Sequence, residues 1–281
     1  MLSPIELDRQ YNARASVPEH PAFFVRWRAD SVCARRTLTA DIDVAYGKSG
    51  DEKLDFFHAA KRGKPLLVFL HGGYWRSLDK ADFSFLAPAF VARDVNLAVV
   101  NYGLAPGTSV EEMVRQLLRS VSWLYKNAGA MSTDPQRIVI AGHSAGAHLA
   151  AMMAAADWSI WDHSLPANVV HGIVCISGIY DLGPLAQAPF LKDDIRLDSI
   201  GARKLSPINY SPSLAVPMLT AVGGDESAEF HRQNLLIRRS WPHCFRHDVP
   251  LPGRNHFSAV DALADSNHLL FHSTLGLFGD D

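Results

Sequence analysis

The chain has 281 residues, 48% of them hydrophobic, with 27 basic and 29 acidic side chains and a formal net charge of −2. That size and apolar content suit one large globular domain. The near-neutral balance, with no lysine/arginine block, excludes an electrostatic footprint for nucleic acid, and no uninterrupted apolar stretch is long enough to span a bilayer.

The opening Met1-Leu2-Ser3-Pro4-Ile5-Glu6-Leu7-Asp8 has no basic start followed by an apolar core, so no signal peptide is expected. Residues 1–30, with Tyr11-Asn12-Ala13-Arg14, Pro18, Pro21, Phe23, Phe24 and Trp27, read as an N-terminal arm packed on the domain or a lid near a pocket. Residues 36–46 alternate with β-branched character and predict an early strand paired antiparallel with a second edge strand. Pro65-Leu66-Leu67-Val68-Phe69-Leu70-His71 is a continuous apolar run, the signature of a strand buried on both faces of a parallel sheet. A helix follows over 83–93 and a buried strand over 95–101. Residues 109–126 carry Val110, Met113, Val114, Leu117, Leu118, Val121 and Leu124 at three- and four-residue steps, a helical face. A strand from Arg137 runs into a second helix near 145. Further strands are expected at 169–177, 216–222 and 245–251, and further helices at 227–241 and 257–275.

Strands alternating with helices at this rhythm predict an α/β fold, a mostly parallel central sheet with helices on both faces. Between 180 and 212 the rhythm breaks, with Pro184, Pro189 and Pro207 in a stretch lacking a long strand, and a small cap insertion over the site is expected. No internal repeat or linker divides the chain, so 1–281 reads as one domain. The cysteines Cys33, Cys175 and Cys244 are odd in number and widely spaced, as in reduced thiols of a cytoplasmic protein. Cys175 lies inside an apolar run and reads as core.

The chemistry gathers at Gly142-His143-Ser144-Ala145-Gly146. A β-branched run stops, one serine follows, and a small-residue helix begins, which is the strand-to-helix nucleophile elbow G-x-S-x-G. A serine hydroxyl needs a base, and the base an orienting carboxylate. In chain order these should follow on loops after later strands. Gly223-Gly224-Asp225-Glu226-Ser227 supplies the acid, either Asp225 or Glu226, and Gly253-Arg254-Asn255-His256-Phe257 supplies the imidazole of His256. An oxyanion would lean on the N–H of Ala145, at a helix start, and on a second donor from His71-Gly72-Gly73-Tyr74-Trp75, where Gly73 and Tyr74 are the candidates. Tyr74 and Trp75 offer flat apolar walls for a substrate, and His143 supports the turn or lines the pocket. The pairs His243/His247 and His268/His272 have i,i+4 spacing but no third ligand nearby, so no metal and no cofactor are expected.

With these residues in place the chain resembles the α/β-hydrolase superfamily, and more narrowly the kynurenine formamidase (arylformamidase) branch, related to the hormone-sensitive-lipase-like esterases. The likeness is carried by His71-Gly72-Gly73-Tyr74-Trp75, where the esterases usually have a third glycine in place of Tyr74. It extends to Gly142-His143-Ser144-Ala145-Gly146-Ala147-His148, Ser177-Gly178-Ile179-Tyr180-Asp181-Leu182, Ser227-Ala228-Glu229-Phe230-His231-Arg232-Gln233 and Tyr11-Asn12-Ala13-Arg14. The resemblance implies that Glu226, which immediately precedes the Ser-x-Glu-Phe segment, is the triad acid. It also implies hydrolysis of N-formyl-L-kynurenine to kynurenine and formate through a formyl-enzyme on Ser144. A carboxylesterase or another small-amide hydrolase would use the same machinery, and a non-catalytic binding protein on a hydrolase scaffold is the rival from another class. The expected partner is a small-molecule substrate, not nucleic acid or membrane, with a homodimer left open.

Overall fold

A computed structural model describes residues 2–212 and 214–279. Its strands are β1 (Ala40–Ala45), β2 (Lys53–Phe57), β3 (Lys64–Leu70), β4 (Asn96–Val100), β5 (Thr133–His143), β6 (Gly172–Ile176), β7 (Met218–Gly223) and β8 (Phe245–Leu251). They form one sheet in the order β1-β2-β4-β3-β5-β6-β7-β8. The pairs β1/β2 and β2/β4 are antiparallel, and every later pair is parallel. The helices are α1 (Pro4–Tyr11), α2 (Ala13–Ser16), α3 (His20–Thr37), α4 (Ala87–Val91), α5 (Val110–Lys126), α6 (Ala145–Ala155), α7 (Trp158–Trp161), α8 (Lys192–Ile195), α9 (Ser199–Lys204), α10 (Ala228–Ser240), α11 (Ser258–Ala264) and α12 (Leu269–Gly276). Among the described residues no helix is long and apolar enough to cross a membrane.

The apolar strand runs are continuous because both faces of the sheet are covered. Alternate side chains of β3 enter different cores: Leu66, Val68 and Leu70 pack with α5, α6 and α10, whereas Leu67 and Phe69 pack with Trp27 of α3 and with α4, α11 and α12. On β5, Ile138 and Ile140 divide from Val139 and Ala141 in the same way. The parallel registers Leu70↔Gly142, His143↔Ile176, Ile176↔Ala221 and Gly223↔Leu251 bring the strand ends to one edge of the sheet. The loops that follow β3, β5, β7 and β8 therefore share that edge, where open parallel sheets bind ligands.

Several boundaries differ from the sequence reading. The N-terminal arm is helical and runs past residue 30, so Arg36 and Thr37 end α3 and do not begin a strand; β1 starts only at Ala40. The helix expected over 83–93 is one 3₁₀ turn, Ser84–Leu86, followed by the five-residue α4, with Pro88 in its first turn. The closing helix expected over 257–275 is divided into α11 and α12. Between them Asp265 Oδ1 accepts from Asn267 N–H at 3.0 Å, and His268 caps α12 through Leu270 N–H at 3.0 Å. The stretch 180–212 contains no strand. It folds as short turns with α8 and α9, tied to the body by Arg76, which pairs with Asp194 and donates to the Phe190 carbonyl at 2.6 Å.

Candidate active site

Ser144 stands between β5 and α6 with φ +56° and ψ −118°, a conformation that costs a non-glycine residue strain and that its neighbours must enforce. Its N–H donates to the Ile176 carbonyl at 2.8 Å, fixing the turn to the end of β6. The flanking glycines are required by contact. A Cβ on Gly142 would lie 2.1 Å from the Gly146 carbonyl oxygen, and one on Gly146 would lie 1.9 Å from that of Leu70.

The β7 and β8 loops bring an acid and an imidazole together. His256 Nδ1 and Glu226 Oε2 are 2.6 Å apart, with side chains 6% and 1% exposed. A carboxylate only accepts, so the proton of that bond belongs to Nδ1, and in the neutral ring Nε2 carries the lone pair. The other carboxylate oxygen, Oε1, accepts from Gly223 N–H at 2.7 Å and from the Ser177 hydroxyl. Asp225, the alternative acid, is exposed. Only its backbone N–H is engaged, donating to the Arg254 carbonyl at 3.1 Å, and among the described residues its carboxylate has no partner. The imidazole partner is Glu226, not Asp225.

His256 is held from three further sides. Asn255 Oδ1 accepts from the N–H groups of Phe257 and Ser258 at 3.0 and 2.9 Å, shaping the loop. The Phe230 ring of α10 lies 4.5 Å from the imidazole, centroid to centroid. His143 Nε2 donates to the His256 carbonyl at 2.8 Å. Burial holds His143 well below the usual histidine range, and the adjacent His256 acts in the same direction, so this ring is neutral. His143 thus positions the base from beneath and also forms part of the cavity wall.

The loop after β3 turns through three consecutive left-handed residues, Gly73 (φ +107°), Tyr74 (φ +52°) and Trp75 (φ +57°). At Gly73 a Cβ would lie 2.0 Å from the Ser77 carbonyl oxygen, so no other residue fits there. Among the described residues the backbone N–H groups of Gly73, Tyr74 and Ala145 make no protein hydrogen bond, as donors kept for an oxyanion would not. Tyr74 reaches back to donate its hydroxyl to the Tyr11 carbonyl. Trp75 does not form a substrate wall: it is fully buried beneath the loop, edge-on to His148 at 5.1 Å.

Ser144, His256, Gly73, Tyr74 and His143 line one narrow cavity with Arg14, Phe24, Trp27 and Phe257. Its free volume is about 20 Å³, room for little more than one water. No hydrogen bond joins the serine hydroxyl to the imidazole among the described residues. A wider cavity of about 230 Å³ opens beside it, bounded by Gln10, Ala13, Val17, Glu226, Phe230 and His256. Residues 10–17 thus roof both spaces. Sequence reasoning missed the roles of Ser177, Tyr11 and Arg14. Their segments carried the family resemblance, but nothing in local spacing marks a serine after a strand as the prop of a distant carboxylate. Among the described residues no group of three or more His, Cys, Asp or Glu side chains is placed to hold a metal ion.

Sheet order, elbow and loop placement define an α/β-hydrolase. The chain matches the BD-FAE family over residues 54–232. It is 31% identical to kynurenine formamidase of Danio rerio over 88% of this chain and 84% of that protein, and 31% identical to that of Salmo salar with the same coverage. Among solved structures it superposes with a TM-score of 0.83 and 28% identity on a candidate thioesterase from a Silicibacter species, covering 95% of this chain and 98% of that one. A thermostable carboxylesterase cloned from a metagenomic library shares the fold, at a TM-score of 0.70 and 18% identity, with 99% of each chain covered. The chain belongs to the BD-FAE family and to the kynurenine formamidase family of α/β-hydrolases, and it is a hydrolase.

Proposed function

We propose that the protein is a serine-dependent arylformamidase that cleaves an aryl formamide such as N-formyl-L-kynurenine to the aryl amine and formate. One observation supports the chemistry most: the hydrogen bond from His256 Nδ1 to Glu226, which leaves Nε2 as a base on a cavity that Ser144 also lines. The relatives at 31% identity over most of the chain favour the formamide substrate.

In this mechanism Ser144 Oγ attacks the formyl carbon while His256 Nε2 takes the hydroxyl proton. The tetrahedral oxyanion accepts from Ala145 N–H and from the Gly73–Tyr74 loop, donors each worth about 3 kcal/mol in comparable sites. His256 then returns the proton to the departing aryl nitrogen. The amine leaves, and Ser144 carries a formyl ester. Water, deprotonated by His256 Nε2, attacks the formyl carbon, and the same proton returns to Ser144 Oγ as the ester bond breaks and formate leaves. An anilide nitrogen is a better leaving group than an alkyl amine, so a site of esterase design can cleave it. The roof over Ser144 must move to admit such a substrate, because the cavity there has room for little more than one water.

Purified protein assayed on N-formyl-L-kynurenine and on a short p-nitrophenyl ester tests the assignment. Formylkynurenine is expected to have a kcat/KM at least comparable with the ester, and Ser144→Ala to lower kcat on both by about 10⁴-fold or more. Formylkynurenine turnover hundreds of times poorer than ester turnover would make the protein a carboxylesterase. Full activity in Ser144→Ala would remove the covalent mechanism.

A further inference from the structure

Among the described residues, the cavity that holds Ser144 contains a cation without a counterion. Arg14, in α2, lines it together with Ser144 and His256. The guanidinium donates one hydrogen bond, from Nη2 to the neutral Ser77 hydroxyl at 2.7 Å, and lies 5.4 Å over the Phe24 ring. Among the described residues no carboxylate lies within salt-bridge distance of it. Its cationic neighbour Arg76 is by contrast paired with Asp194. Burial, and then the charge of Arg76, both disfavour the cation at Arg14, yet an arginine stays charged in proteins. A half-buried guanidinium left with most of its donors unused is an unbalanced charge, and here it stands beside the nucleophile.

We propose that Arg14 is a specificity-determining residue that binds a carboxylate on the substrate, at the end remote from the scissile bond. The inference deepens the arylformamidase reading and rests on it for the identity of the scissile group. Phe24, Trp27 and Phe257 line the same cavity as the cation and the serine, and their rings suit an aryl substrate once the roof has opened. The hydroxyl of Ser77 is a weak partner that a carboxylate readily replaces, since a bond between charged partners is roughly twice as strong as a neutral one. Arg14 also rides on the roof segment.

The test compares charged and neutral members of two substrate pairs in the wild type, Arg14→Gln and Arg14→Lys. The first pair is 4-(2-formamidophenyl)-4-oxobutanoate, which is N-formyl-L-kynurenine without its ammonium group, and the neutral 2-formamidobutyrophenone. The second is 3-(2-acetoxyphenyl)propanoate and 2-propylphenyl acetate, in which the carboxylate is again carried by the leaving aryl group. In Arg14→Gln the charged-to-neutral ratio of kcat/KM is expected to fall about tenfold or more, mainly through KM, the scale of one charged hydrogen bond. Arg14→Lys keeps the charge but loses the planar fork, and should hold the ratio to within about fivefold of wild type. An equal loss on both members of a pair would reduce Arg14 to a structural pin of α2 on Ser77 and overturn the proposal, as would an unchanged ratio. If the wild type cleaves the esters but neither formamide, the arylformamidase reading falls and the ester pair alone judges Arg14. Should Arg14→Gln not fold, inhibition of wild-type hydrolysis of 2-propylphenyl acetate by 4-phenylbutyrate and by its amide decides. The acid should bind at least about fivefold more tightly, and equal binding would refute the role.

Discussion

At the scale of single residues, the arrangement turns on which carboxylate holds the imidazole. Glu226 accepts on both oxygens, from Gly223 N–H and the Ser177 hydroxyl on one and from His256 on the other. A glutamine in its place cannot satisfy them all, because its NH₂ must face either the Gly223 N–H or the imidazole N–H. In the second case His256 takes the wrong tautomer and loses its free Nε2. Glu226→Gln is therefore expected to lower kcat by about 10⁴-fold, as loss of the orienting acid does in serine hydrolases. Asp225→Ala, at an exposed carboxylate without a partner, should stay within about threefold of wild type. Steady-state kcat for the two variants checks this, and the reverse ranking would transfer the role to Asp225. Ser144 and His256 could be read from the chain because a nucleophile elbow and a post-strand loop are local patterns. The choice between adjacent acids could not, since one residue of register decides which side chain meets a ring thirty positions away. Ser177 was illegible for the same reason: its partner Glu226 is distant in the chain.

At the scale of elements, the roof is a composite of weak local helices held by long-range bonds. Tyr11, at the end of α1, is fully buried and donates to Glu229 Oε2 at 2.6 Å, while Gln233 Nε2 donates to its hydroxyl at 2.9 Å. The Tyr74 hydroxyl holds the Tyr11 carbonyl, Ser227 holds that of Gln10, and Asp8 accepts from Phe190 N–H at 3.2 Å. Burial, and next the neighbouring Glu229 carboxylate, push the Tyr11 phenol up, so it remains a donor at any working pH. Tyr11→Phe leaves the Gln233 amide and Glu229 each short of a partner. The expected loss is about 1–3 kcal/mol, read as a fall in Tm of about 3–8 °C, with faster amide exchange confined to residues 4–17. Unchanged exchange there would show that the roof does not depend on this anchor. The same elements explain where the sequence misleads. Continuous apolar runs announced the parallel strands because burial on both faces is written into every residue. By contrast, α3 buries only Trp27, Ser31 and Ala34 fully, too thin a face to give a helical period, and its β-branched end resembled a strand. The break between α11 and α12 was hidden because the apolar residues keep their helical step across it, while one Asx turn at Asp265 redirects the backbone.

At the scale of the whole molecule, α6 joins the nucleophile to the stretch 180–212, and a buried histidine makes that joint sensitive to acid. His148 is fully buried. Its Nε2 donates to the Leu205 carbonyl at 2.7 Å, and among the described residues its Nδ1 has no partner. A proton on Nδ1 would place both a charge and an unsatisfied donor in the core. Burial accordingly lowers its pKa from 6.5 to about 4, and the bond to Leu205 opposes the shift only in part. Between those two values the unfolded chain binds the proton and the folded chain does not, so stability rises with pH across this window. The contribution is complete above about pH 6.5 and is lost as the pH falls towards 4, amounting to about 3 kcal/mol for a shift of that size. His143, lowered for the same leading reason, adds to the loss in the same direction. In urea titrations from pH 7.5 to 4.5, His148→Gln keeps a donor for Leu205 but cannot titrate. It should start somewhat below wild type and lose less stability on acidification, so that the gap narrows or inverts by pH 4.5. Curves that stay parallel across this range would mean that His148 titrates alike in both states and that the acid sensitivity lies elsewhere.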